Sequence, residues 1–339
     1  MKKILVLGGA GYIGSILVTL LLKKNNYVIV YDLMKFGSDS LRHIKNNKNL
    51  KIIKGDTNNK TLLNKISKQC NIVVDLSGIV GDPACNINRK TTKKDNFTNL
   101  KDFLKIFKKN KVQRFIYMSS CSVYGKSKGK KLINEKFSVK PISLYAETKI
   151  RSEKEMLKKE YKSLNPVILR LSTVFGLSYR LRLDLVINIF TLMASLNKDI
   201  TVFGGSQFRP NIHVKDVALS IIKVINSPLK LVSGQIFNVG SNKLNYKIID
   251  LGKIVKKLNN KILLKVEKNS VDERNYHISF NKIKNKLNFT PQYSVNKGAS
   301  ELYNYLLKNK IKGHNLKFSN YKIEKKKYVK STKYIKRIK

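Results

Sequence analysis

Gly8, Gly11 and Gly14 recur every three residues between an apolar run, 3–7, and a segment of helical periodicity, 14–24. Glycines at these places allow a tight turn, close approach of backbone to a pyrophosphate, and close packing of helix on strand. The helix start then offers open N–H groups and the positive end of its dipole to phosphate. Asp32 follows eighteen positions after Gly14, at the end of a β-branched and aromatic run, 27–31. A carboxylate there accepts hydrogen bonds from adenosine ribose hydroxyls and repels a 2′-phosphate, which favours NAD over NADP. Tyr12 and Ile13, inside the loop, join the three glycines as candidate cofactor contacts.

Further strand-like runs at 51–53, 71–76 and 114–118 alternate with helical stretches at 61–69 and 96–109. Short apolar strands alternating with helices predict βαβ units, and so an α/β fold: a Rossmann-type doubly wound parallel sheet over residues 1–173. The chain after the third and fourth strands must pass the cofactor, which nominates Asp56, Thr57, Leu76, Ser77 and Gly78. A long helix is expected at 143–161 and a strand at 166–171. From 174 to 311 the alternation loosens, with helices at 184–197, 216–225, 245–258 and 296–307. A strand at 235–239 is free to return to the main sheet. This stretch is expected to be a smaller, substrate-binding lobe. From 312 to 339 the pattern fails in a lysine-rich run, read as a solvated tail open to disorder.

The formal charge of +48 raises the question of a nucleic-acid partner. Only ten of the 69 basic residues are arginine, and the lysines are spread over nearly every element. Abundant lysine, asparagine and isoleucine with no tryptophan match what an AT-rich genome encodes. No specific nucleic-acid partner is therefore expected. No run of eighteen apolar residues predicts a transmembrane helix. Cys70, Cys85 and Cys121 lack paired metal spacing, so no metal site is expected, and a reducing cytoplasm is the simplest setting.

Tyr145 and Lys149 lie four residues apart, on one face of the expected helix, and Ser120 precedes Tyr145 by twenty-five. An ammonium beside a phenol favours the phenolate, and a nearby hydroxyl that binds the same substrate oxygen completes a proton-transfer group.

Taken in order, Gly8-x-x-Gly11-x-x-Gly14, Asp32, Gly55-Asp56, Ser119-Ser120-x-x-Val123-Tyr124-Gly125, Tyr145-x-x-x-Lys149 and Leu169-Arg170-x-x-x-Val174-Phe175-Gly176 resemble the extended short-chain dehydrogenase/reductase family, specifically its NAD-dependent nucleotide-sugar epimerases and dehydratases. The resemblance covers about residues 2–310. It implies that Ser120 binds the reacting sugar oxygen and Tyr145 takes the hydroxyl proton. It implies that Lys149 holds the nicotinamide ribose and lowers the tyrosine pKa, with Asn96 near the cofactor. For a nucleotide-sugar substrate it nominates Asn188 and Arg209 at the diphosphate and Asp272 at the nucleotide ribose. The family often has an arginine three residues before that last acid. Asn269 stands there, and Arg274 is a substitute. A homodimer built on 96–109 and 143–161 is also implied. His213 reads as a packed residue rather than a catalyst.

The residues after Ser120 discriminate among the family's reactions. An Asp-Glu pair at the places of Cys121 and Ser122 would imply a 4,6-dehydratase. A glutamate at Ser122 would imply a decarboxylase, and a cysteine there a 3,5-epimerase. Cys121 is one residue early, which turns its side chain the other way. What remains is Ser, Tyr and Lys, enough for 4-epimerisation of a nucleotide-linked hexose. Simple oxidation, or reduction of a ketosugar, is the alternative. A non-catalytic NAD- or RNA-binding protein on the same fold ranks below both.

Overall fold

The computed structural model describes residues 1–127, 132–268 and 274–338. In chain order its strands are β1 (Lys3–Leu7), β2 (Tyr27–Asp32), β3 (Leu50–Lys54), β4 (Ile72–Asp75), β5 (Arg114–Ser120), β6 (Val167–Leu171), β7 (Thr173–Phe175), β8 (Ile200–Phe203), β9 (Phe208–His213), β10 (Gln235–Val239), β11 (Asn245–Lys247) and β12 (Leu264–Glu267). Seven of them form one sheet in the order β10-β6-β5-β4-β1-β2-β3, with every neighbouring pair parallel. The order reverses at β1, between β2 and β4, and a doubly wound sheet opens its ligand crevice at that point.

The apolar runs make these strands because they are covered on both faces. In β1, Ile4 and Val6 enter the core on one side with the helix Tyr12–Lys23. Leu5 and Leu7 enter the other, with Leu63, Phe103 and Phe107. β3 is the edge, and its lysines at 51 and 54 discourage pairing with another chain. Beyond β6, β7 and β11 flank β9, while β8 pairs with β12.

The helical expectations hold with altered boundaries. The stretch expected at 96–109 begins earlier, as Arg89–Lys93, and passes through a π-helical turn, Lys94–Thr98, before Asn99–Lys109. The helix expected at 143–161 is Leu144–Met156, followed by a 3-10 segment, Lys159–Leu164. The segment expected at 245–258 opens as strand β11 before the helix Ile248–Lys256. The C-terminal segment, for which no element was expected, has regular structure. It contains a helix, Asn320–Ile338, that packs on the helix Asp82–Ile87 after β4, with Asn320 buried while Tyr321, Tyr328 and Val329 stay exposed. Asn320 and Glu324, near its start, make polar contacts.

One buried polar cluster locks the sheet to the helix Leu144–Met156. The Glu153 carboxylate accepts from Arg170 Nε at 3.0 Å and Nη2 at 2.6 Å, and from Ser119 Oγ at 2.5 Å. Arg170 Nη1 donates to Tyr124 Oη at 2.9 Å, and that hydroxyl donates to Asn238 Oδ1 at 2.7 Å. Glu153 and Arg170 are both buried. Removing one member of a buried pair strands the other's charge. Glu153→Ala should therefore lower stability by about 3–5 kcal/mol, read from urea unfolding followed by circular dichroism. A loss below about 1 kcal/mol, the range of an exposed pair, would contradict this role.

Candidate active site

The glycine loop is shaped by contacts that exclude side chains. Gly8 has φ 76°, and a Cβ there would lie 2.8 Å from Leu76 O. A Cβ on Gly14 would lie 2.3 Å from Gly8 O. The first helical bond runs from Ser15 N–H to Gly11 O, and no side chain caps this helix. The amides of Tyr12, Ile13 and Gly14 are thus the helix's open donors, at the floor of a large cleft. A pyrophosphate fits such a cradle.

Around it the cleft gathers the cofactor candidates Gly8, Gly11, Tyr12, Ile13, Gly14, Asp32, Asp56, Thr57, Leu76, Ser77 and Gly78. Asp32 accepts from Met34 N–H at 2.7 Å and Ala10 N–H at 2.9 Å, tying the end of β2 to the glycine loop. Burial raises its pKa, while the two amides and Arg180 oppose that. Asp56 O accepts from Tyr31 Oη at 2.5 Å, and Asp56 Oδ1 from Asn58 N–H at 2.8 Å. The Asn96 side chain does not line the cleft. It stands behind the loop after β4, where Oδ1 accepts from Ile79 N–H at 2.8 Å and Nδ2 donates to Ile79 O at 2.9 Å. Ser152 Oγ donates to Asn96 O at 3.0 Å. The π-helical turn thus makes Asn96 a positioning residue for Gly78 and Ile79.

Ser120, Tyr145 and Lys149 line the same cleft. Ser120 ends β5, where the sheet delivers it to the crevice, and its Oγ accepts from Ser122 N–H at 3.1 Å. Tyr145 opens a helix capped by Ser143, whose Oγ donates to Asp82 Oδ1 at 2.6 Å. One turn on, Lys149 is buried and donates to Met118 O at 2.7 Å. Its ammonium stands 5.7 Å from the centre of the Tyr145 ring and 4.5 Å from that of Tyr117. Burial, which outweighs Lys149, pushes the Tyr145 phenol up to about 12. The lowering expected from Lys149 is present but is opposed by the larger effect of burial.

Two substrate candidates lie elsewhere. Asn188 is fully enclosed: Oδ1 accepts from Gly176 N–H at 2.9 Å, and Nδ2 donates to Arg182 O at 2.7 Å and Tyr12 Oη at 3.2 Å. Here it props the chain after β7. Arg209 is buried with its guanidinium 5.1 Å from the centre of the Tyr276 ring, and it donates to Phe208 O and Arg274 O. Asp272 and Asn269 lie outside the described residues. Arg274 does line the cleft, paired with Asp82.

Two other basic cleft residues, Arg180 and Arg182, escaped the sequence reading. Two arginines so close together among only ten were the signal that could have found them. Cys121 is fully buried, its thiol donating to Arg170 O at 3.3 Å, which is a packing role. His213 is likewise buried, stacked on Tyr293 with ring centres 4.2 Å apart. Burial and nearby lysines push it down to about 3, which leaves it neutral. Among the described residues no His, Cys, Asp or Glu cluster suits a metal ion, and no helix is long and apolar enough to cross a membrane.

Known proteins are similar to this chain. The Bacillus subtilis protein titled "Uncharacterized UDP-glucose epimerase YtcB" is 31% identical over 249 residues, covering 70% of this chain and 76% of that protein. A UDP-glucose 4-epimerase of Lactobacillus helveticus is 28% identical over 261 residues, covering 70% and 76%. The solved UDP-glucuronic acid 4-epimerase of Bacillus cereus, in complex with UDP-glucuronic acid and NAD, superposes with a TM-score of 0.81 at 26% identity, over 91% of this chain and 100% of that one. Residues 4–240 match the NAD dependent epimerase/dehydratase family, to which this chain belongs, with NAD as its cofactor.

Proposed function

We propose that the protein is a nucleotide-sugar 4-epimerase acting through a transient 4-keto sugar. The observation that carries this reading is what surrounds Ser120: Ser120, Tyr145 and Lys149 share one cleft, and Cys121 and Ser122 occupy the places where eliminating or decarboxylating relatives would carry acids. Relatives described as UDP-glucose 4-epimerase and UDP-glucuronic acid 4-epimerase support the same reaction class.

Bound NAD supplies a hydride acceptor that can return what it takes. The protein's part is to hold and move the proton. Ser120 Oγ binds the C4 oxygen, and Tyr145 Oη removes its proton as the carbonyl forms. Lys149, already anchored to Met118 O at 2.7 Å, holds the positive charge that favours the phenolate. Burial of the phenol works against that ionisation, and Lys149 offsets part of it. The ketosugar then turns over, and the proton returns as the opposite face is reduced. No acid is needed in the step, and none is required at Cys121 or Ser122. Arg182 and Arg274, at the cleft wall, give the substrate's diphosphate cationic partners.

Purified protein given UDP-glucose, UDP-galactose or UDP-glucuronic acid should form the C4 epimer without accumulating NADH. Steady NADH production with no epimer would instead establish a dehydrogenase. Tyr145→Phe should cut epimerisation by about 10²–10⁴-fold while the protein still copurifies with NAD. A loss under about tenfold would remove Tyr145 from the proton transfer.

A further inference from the structure

We infer that the C-terminal helix Asn320–Ile338 is part of the cofactor site, a strap across the dinucleotide cleft that slows the departure of NAD. Asn320 and Lys327 belong to the cleft wall although they are far from every other cleft residue in sequence. Positions 320, 324 and 327 share one helical face, and a rise of about 1.5 Å per residue spreads them over about 10 Å. At one end Asn320 Oδ1 accepts from Arg180 Nη2 at 2.9 Å, its Nδ2 donates to Val80 O at 3.3 Å, and its N–H donates to Asp184 Oδ2 at 2.8 Å. One turn along, Glu324 pairs with Lys35.

Val80 follows β4 and Lys35 follows β2, the two strands that flank β1 in the sheet. A helix fixed to both loops crosses the mouth above the glycine loop. Its outer positions, Tyr321 and Lys325, face solvent. Glu324 is the only carboxylate side chain after Glu301, in a segment otherwise rich in lysine. That single acid is placed where the strap meets Lys35. With these contacts made at the rim, Tyr12, Ile13 and Gly14 still line the cleft, as under a cover rather than a plug.

The role does not depend on which sugar reaction the enzyme performs, and its test needs no substrate. Full-length protein is loaded with radiolabelled NAD and chased with unlabelled NAD. Glu324→Lys places like charges at the latch and should speed NAD dissociation about tenfold. Lys35→Glu should do the same, and the double exchange should bring the rate most of the way back. The amides of 320–327 in the unmutated protein should exchange with deuterium more slowly once NAD is bound. An unchanged dissociation rate, or no change in amide exchange on adding NAD, overturns the proposal. Faster association with tighter binding in Glu324→Lys would also overturn it, because the helix would then be an autoinhibitory plug.

Discussion

The Glu153–Arg170 pair is the contact on which the geometry of the site depends. A buried ion pair is a weak source of net stability, because desolvating both charges offsets most of their attraction. Its value here is positional. Glu153 sits one helical turn beyond Lys149, and its carboxylate also accepts from Ser119, the neighbour of Ser120. Arg170 lies on β6, the strand beside β5, and reaches Tyr124 and through it Asn238 on β10. One cluster thus fixes the helix bearing Tyr145 and Lys149 to the strand bearing Ser120. A shift of either element would leave a buried charge without its partner, so the three chemical groups are held in register by the cost of moving them.

The cofactor side follows from a different constraint, close approach of backbone. Gly8 packs against Leu76 O and Gly14 against Gly8 O, so the glycine loop and the loop after β4 define one narrow floor. Polar residues then brace the walls. Asp32 holds the glycine loop through Ala10, Asn96 holds Ile79 from behind, and Ser152 links Asn96 to the helix bearing Tyr145 and Lys149. The dinucleotide floor and the proton-transfer group are therefore connected through the π-helical turn, Lys94–Thr98.

Sequence legibility followed the range of the interactions involved. The glycine loop, the buried strands and the Tyr145–Lys149 spacing are local patterns, and each could be read without the fold. The placement of Asn188 and Arg209 could not. Whether an amide or a guanidinium points into a cleft depends on where the chain after β7 and the strand β9 pack: here Asn188 is held by backbone groups and Tyr12 Oη, and Arg209 Nη1 by backbone carbonyls. The C-terminal helix was illegible for a related reason. Its docking uses Asn320 and Glu324 against partners about 140 to 290 residues away in sequence. The phenol of Tyr145 shows the limit of reading a pair in isolation: a lysine at the right spacing lowers its pKa, yet burial in the finished cleft raises it further.

The central claim is that the hydride taken from C4 returns to the same carbon while the proton passes through Tyr145. It is tested most directly with a nucleotide-linked hexose deuterated at C4, turned over by the NAD-loaded enzyme and analysed by mass spectrometry and proton NMR. Retention of deuterium at C4 in the epimer, with no label reaching free NADH, is the predicted result. Loss of the label to solvent or to a pool of reduced cofactor would contradict the account.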